Sequence, residues 1–178
     1  MTHRRPLALV VAALAFAADR HRDHRRKDSA QTPYVNHLIA VVEVLVEHGV
    51  DDPLVLAAAA LHDTVEDTAT SLDELRAMFG DEVAAVVAAV TDDKSLPKAE
   101  RKRRQIEKAP SLASRARLVK LADKTCNLRD VADHPPAGWP LERRQEYFDW
   151  AKAVVDGLRG AHPALEAAFD AAYARRPL

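Results

Sequence analysis

The stretch His62-Asp63-Thr64-Val65-Glu66-Asp67 closes an Ala-rich run that opens at Asp51-Asp52-Pro53 and continues through Leu61. Read as helix, it sets Glu66 four residues after His62 and Asp67 four after Asp63, so all four side chains project from one side. An adjacent His and Asp can hold a divalent metal, and two carboxylates one turn later can orient or deprotonate a water bound to it. Charges delivered at the end of an apolar helix need partners, because a desolvated charge alone is costly. The pattern points to a metal-dependent hydrolase built on helices.

Helix punctuation recurs on both sides of this stretch. Thr32-Pro33 opens a segment that ends near Gly49. Ser71-Leu72-Asp73-Glu74 has the form of a capping box, and Gly80 closes the short helix it begins. Asp81 is placed to cap Glu82 to Thr91. Pro97 begins a strongly charged helix to about Lys108, and another runs from about Ser111 to Asp130. After the break at His134-Pro135-Pro136, Pro140 starts a long helix to about Gly160, and Pro163 starts a last one. No stretch alternates with period two. The expected fold is all-α, a single compact helical bundle forming one domain over residues 1–178, without repeats or a dividing linker.

The N-terminal region admits two readings. Arg4-Arg5 precede an apolar run from Leu7 to Ala18, and Ala15-Phe16-Ala17 resembles a small-residue cleavage site. Alternatively Pro6 occupies the first turn of a buried helix, with Leu7, Val10, Val11, Leu14 and Ala18 on one face. The run is too short to span a bilayer, and it is read as core.

Composition narrows the function. A chain of 178 residues, 48% hydrophobic and 30% charged, is that of a globular protein. A net charge of -1 argues against general nucleic-acid binding, which needs a broad basic surface. Five glycines and no GxGxxG, P-loop or GxSxG pattern disfavour dinucleotide cradling and serine-hydrolase chemistry. A single cysteine, Cys126, cannot form an internal disulfide, which fits a reducing cytosol.

A metal site needs more than two adjacent ligands. His37, on the helix after Thr32-Pro33-Tyr34, and Asp123, within Lys120-Leu121-Ala122-Asp123-Lys124, are the candidates to join His62 and Asp63. Two imidazoles with two carboxylates suit Mn²⁺, Fe²⁺ or another borderline divalent ion, whereas Zn²⁺ more often recruits a thiolate or a third His. Two basic clusters, RHRDHRRK at 20–27 and KAERKRR at 98–104, read either as solvated faces or as phosphate recognition. Trp139, Tyr147, Phe148 and Trp150 read as packing residues.

The chain resembles the HD-domain hydrolases of the RelA/SpoT group, and within it the small stand-alone alarmone hydrolases. The matching elements are HRDHRRKD (21–28), TPYVNH (32–37), ALHDTVEDT (60–68), FGDEV (79–83), VTDDKSLPKAERK (90–102), LVKLADKTCNLRD (118–130) and GWPLERRQEYFDWA (138–151). The resemblance implies a helical HD domain holding one Mn²⁺ through His37, His62, Asp63 and Asp123. It implies that Glu66 and Asp67 are the catalytic carboxylates, that Arg26 and Lys27 lie at the nucleotide, and that Asn127 and Arg129 contribute to substrate binding. The implied reaction removes the 3′-pyrophosphate of ppGpp or pppGpp, a step that lowers alarmone levels in the stringent response, in the cytoplasm. Three positions depart from the pattern: His24 stands where Gln is usual, Leu38 follows Asn36-His37 where Pro often does, and Thr125-Cys126 replace bulkier apolar residues. NADPH or another phosphorylated nucleotide is the alternative substrate, and a non-catalytic alarmone-binding module the alternative class. No membrane or nucleic-acid partner is expected; oligomeric state is not legible.

Overall fold

The computed structural model describes residues 5–178, so Arg4 of the Arg4-Arg5 pair lies outside the described residues. The helices are α1 (Pro6–Arg20), α2 (Val35–Glu47), α3 (Pro53–Leu61), α4 (Thr64–Asp67), α5 (Leu72–Phe79), α6 (Asp81–Val90), α7 (Lys98–Lys108), α8 (Ser114–Asp133), α9 (Leu141–Asp156) and α10 (Pro163–Tyr173). A single 3₁₀ turn, Ala109–Ser111, joins α7 to α8. Among the described residues the only β pairing is an isolated bridge between Arg25 and Pro33. The all-α expectation holds.

The α3 helix is the hub. It packs against α1, α2, α6 and α8, and every residue from Val55 to Leu61 is buried. Four successive alanines, Ala57 to Ala60, have no exposure at all. Small side chains let four neighbouring helices approach closely, and the apolar surface removed from water supplies the main driving force. Asp52 fixes where the helix starts by accepting a hydrogen bond from the Leu54 amide at 2.9 Å, with Pro53 in the first turn. The α10 helix seals α8 from the far side, and α9 packs on α7 and α8. Phe148 and Phe169, both fully buried, fill that layer.

Three local expectations need correction. The buried face of α1 is Val10, Ala13 and Ala17; Leu7 is 75% exposed and Val11 55%. The face rotates because α1 rests on the alanines of α3, where small residues fit. Ser71 does cap α5, accepting from the Glu74 amide at 3.1 Å. The Glu74 carboxylate does not reach back; it pairs with Arg20, leaving the capping box half formed. Asp81 is not a cap either. Gly80 holds that place at φ +90°, a left-handed geometry that links α5 to α6 with almost no spacer. Asp81 is the first residue of α6 and pairs with Arg76 at 3.0 Å.

Candidate metal centre and cleft

The six residues His62 to Asp67 are not one helix. The α3 helix stops at Leu61, Asp63 sits at φ -101°, ψ -3°, and α4 restarts at Thr64. The Thr64 hydroxyl donates to the Leu61 carbonyl at 2.7 Å, so a side chain replaces the lost ladder bond and holds the bend. The Asp67 amide still donates to the Asp63 carbonyl at 2.8 Å. The bend turns His62 and Asp63 toward α2 and α8, while Glu66 and Asp67 go to the loop after α6.

His62 is 4% exposed. Its Nδ1–H donates to the Ala59 carbonyl at 2.8 Å, which leaves Nε2 facing inward, a form suited to metal ligation. His37, in the first turn of α2, and Asp123, in the middle of α8, converge on it. Asp123 Oδ1 is 3.4 Å from His37 Nε2 and 3.6 Å from His62 Nε2. One ligand atom from each of these three residues lies within 4.8 Å of the others. Asp63 stands outside that mutual set, but its Oδ2 is 3.0 Å from His62 Nε2 and accepts a hydrogen bond from the Tyr34 hydroxyl at 2.6 Å.

The electrostatics describe a cation site. Burial by itself would depress His62; the carboxylates of Asp63 and Asp123 overcome it and raise the imidazole to about 10. Asp63 and Asp123 are in turn held below the usual carboxylate range: burial resists ionisation, and the neighbouring cations, His62 for Asp63 and Lys124 for Asp123, prevail. His62 Nε2 is buried without a well-formed hydrogen bond, between the carboxylates of Asp63 and Asp123. An orphaned imidazole nitrogen beside two buried carboxylates is what a divalent ion would satisfy. The residues present fit a metal.

Glu66 is partly buried. Its Oε2 accepts from the Asp92 amide at 3.1 Å and its Oε1 is 3.9 Å from Arg101. Burial, reinforced by Asp63, Asp92 and Asp67 and opposed by that amide, raises its proton affinity. Asp67 pairs with Lys94 and faces a cleft of about 1040 Å³ whose walls also carry Arg26, Lys27, Asn127, Asp130 and Tyr34. Arg26 is tied to Asp130 and lies 3.4 Å from Asn127 Oδ1; Asn127 donates to Asp123 Oδ1. The cleft therefore abuts the buried centre through α8. Arg129 is not among the residues lining it.

The sequence reading assigned Trp139 and Tyr147 to packing alone and left Lys98 between a solvated face and phosphate recognition. Lys98, Trp139 and Tyr147 line the same cleft, with the Arg143 guanidinium 4.4 Å from the Trp139 ring. Trp139 and Tyr147 do pack on one another, 5.6 Å apart, yet they also line the cleft, with the cationic groups of Lys98 and Arg143 over the Trp139 ring and that of Lys102 over Tyr147. The 98–104 cluster divides accordingly. Arg103 and Arg104 pair with Glu100 and Glu107 on a solvated face, whereas Lys98 serves the cleft and Arg101 faces Glu66.

An HD domain family model matches residues 13–149, which contain every one of these groups from His37 to Tyr147. The chain belongs to the HD-domain family. This HD domain is 52% identical over 164 residues to guanosine-3′,5′-bis(diphosphate) 3′-pyrophosphohydrolase MESH1 of Xenopus tropicalis, covering 92% of each chain. It is 52% identical over 172 residues to the protein of the same name from Homo sapiens, covering 96% of each. A solved structure described as a metazoan ortholog of SpoT that hydrolyzes ppGpp and plays a role in starvation responses superposes with a TM-score of 0.92 at 50% identity, covering 100% of this chain and 99% of that one. No helix among the described residues is long and apolar enough to cross a membrane.

Proposed function

We propose that this protein is a single HD-type phosphohydrolase unit that removes the 3′-pyrophosphate from ppGpp or pppGpp, giving GDP or GTP and pyrophosphate, with one Mn²⁺ as its ion, and so lowers alarmone levels in the stringent response. The observation that carries this reading is the buried convergence of His37, His62 and Asp123 beside a cleft whose lining includes Arg25, Arg26, Lys27 and Lys98, in a chain half identical to named pyrophosphohydrolases. His37, His62, Asp63 and Asp123 would hold the ion. When bound, it would supply Lewis acidity at the phosphoryl group and acidify water at neutral pH.

The protein's own residues supply the rest. Glu66 has a proton affinity raised by burial, which suits a base that takes a proton from the attacking water. As water adds to the phosphorus of the 3′-diphosphate, the bond to the ribose 3′ oxygen breaks and that oxygen takes up a proton. The water oxygen leaves in pyrophosphate. Asp67, at the cleft wall, orients the water. Arg26, Lys27 and Asn127 offer donors to the anionic nucleotide, and Lys98 and Arg143 add positive charge. Cytoplasmic work fits Cys126, a buried thiol that burial pushes up to about 12 and so keeps unreactive.

The test is release of GDP and pyrophosphate from ppGpp by purified protein, with Mn²⁺ and with EDTA. Release of both products in Mn²⁺ only is expected. Asp63→Ala should lose metal and turnover together, whereas Glu66→Ala should keep the metal and lose most turnover, on the order of 10²-fold or more. Metal-loaded protein that binds ppGpp without releasing either product would be a receptor and would overturn the proposal.

A further inference from the structure

His21 and His24 flank the turn that leads from α1 into the cleft, and together they form a defined arrangement of ring nitrogens. Their Nδ1 atoms are 3.0 Å apart, so one proton must lie between them. His21 is 1% exposed, stacked on Tyr34 with ring centroids 5.0 Å apart, and its Nε2 is buried without a partner. His24 is half-buried and lines the cleft beside Arg26 and Lys27.

Two neutral arrangements share that proton. If His24 donates, His21 accepts at Nδ1 and carries its own proton on Nε2, leaving an N–H buried with nothing to bond. If His21 donates, its buried Nε2 is a bare acceptor, and His24, accepting at Nδ1, carries its proton on Nε2. Orphaned buried N–H groups are the rarer and costlier fault. The second arrangement wins. His21 then acts as the lock that fixes the His24 tautomer, as a partner at one ring nitrogen does generally.

We infer that His24 is a substrate-binding residue whose Nε2–H donates a hydrogen bond to a phosphoryl oxygen of the nucleotide bound in the cleft. The ligand chemistry follows from the surroundings. The cleft carries the cations Arg25, Arg26, Lys27 and Lys98 beside the carboxylates Asp23, Asp28, Asp67 and Asp130. Of these, Asp28, Asp67 and Asp130 are already bonded to Thr32, Lys94 and Arg26, and an N–H donor among those cations suits an anionic oxygen. His24 reaches the ligand directly, while His21, behind it, is a positioning residue. This inference rests on the proposed ppGpp reaction for its substrate but not for its tautomer.

Two measurements test it. Long-range ¹H–¹⁵N correlation on the whole protein at neutral pH should find His21 in the Nδ1–H form and His24 in the Nε2–H form; the reverse pair would overturn the inference. Steady-state kinetics on ppGpp should show His24→Phe raising KM on the order of tenfold with kcat held. His24→Gln, which restores an N–H donor, should return KM close to that of the unaltered protein. Equal KM in His24→Phe, or a His24→Gln variant no better than His24→Phe, would also overturn it. Unaltered protein that releases no pyrophosphate would sink the proposed reaction before any variant is compared, and the spectrum would still decide the donor.

Discussion

Lys124→Met should cost far more stability in metal-free protein than in metal-loaded protein. Lys124 is buried, with its ammonium 3.1 Å from Asp123 Oδ2. At an effective dielectric of about 20, unit charges at that separation attract by roughly 5 kcal/mol. Breaking such a buried pair from one side leaves a loss of about 3–5 kcal/mol. Without metal the four groups in direct contact balance: Asp63 and Asp123 are anionic, while His62, raised to about 10, and Lys124 are cationic; the buried Lys120 ammonium stands apart from them, donating to the Val90 carbonyl at 3.0 Å. Methionine leaves that group one negative charge in surplus. A bound divalent ion displaces the His62 proton, so the loaded group carries one positive charge with lysine and none with methionine. The full loss is therefore expected in EDTA and about half of it or less in excess Mn²⁺. By linkage the variant must bind the ion more tightly, on the order of tenfold. Methionine retains volume and a soft contact with Trp150, whose ring lies 4.5 Å from the ammonium. Urea unfolding followed by far-UV circular dichroism in the two buffers gives both losses, and calorimetric titration gives the affinity. Equal losses in the two buffers, or weaker metal binding by the variant, would refute the reasoning.

Tyr34→Phe removes the hydroxyl that donates to Asp63 Oδ2 at 2.6 Å and should weaken metal binding by about tenfold or more with the helix content intact; unchanged affinity would mean that the contact with His62 alone orients Asp63. Asp52→Ala deletes the cap of α3 and the 2.8 Å bond from Arg115, at about 1 kcal/mol of unfolding free energy. Burial opposes ionisation of Asp52, but the Leu54 amide and Arg115 outweigh it and hold its carboxyl below the ordinary range. The folded value is thus lower than the unfolded one, so this stability is complete above about pH 4 and disappears as pH falls through the depressed value. The difference between unaltered protein and Asp52→Ala should shrink toward pH 3, and a difference constant with pH would contradict the assignment.

The helices were legible because their ends are written in local chemistry. Pro6, Pro53 and Pro163 sit in first turns, Asp52 and Ser71 cap, and Gly80 takes the one backbone geometry that joins α5 to α6. What failed were inferences that needed a partner. The bend at Asp63 is held by Thr64 and by the pull of α2 and α8, neither of which shows in a helical wheel of six residues. The rotated face of α1 depends on the alanines of α3, and Glu74 abandons its cap for Arg20 more than fifty positions away in sequence. The convergence of His37, His62 and Asp123 was legible because ligand types are few and the matching motifs quoted them in order. Trp139 and Tyr147 were overlooked as cleft residues because aromatic side chains serve packing equally well, Lys98 stayed between two readings because a lysine serves solvation and anion binding alike, and only the approach of α7 to α9 assigns them. A hint lay in Gly138-Trp139-Pro140, where a tryptophan stands in a turn that offers it no helix face to pack with.

The two halves of the site rest on ground of unequal mutability. His62 and Asp63 leave α3, a helix whose every side chain after Leu54 is enclosed by four others, so a change there is paid for by the whole fold. The rim residues Arg25, Lys27, Lys98 and Arg143 sit on the 21–34 turn, the start of α7 and the first turn of α9, where their side chains meet water. Drift among phosphorylated nucleotides can therefore proceed by exchanging rim residues while the buried centre stays frozen. Chemistry and choice of substrate are separately heritable in this architecture, and a laboratory search for new specificity would do well to leave α3 untouched.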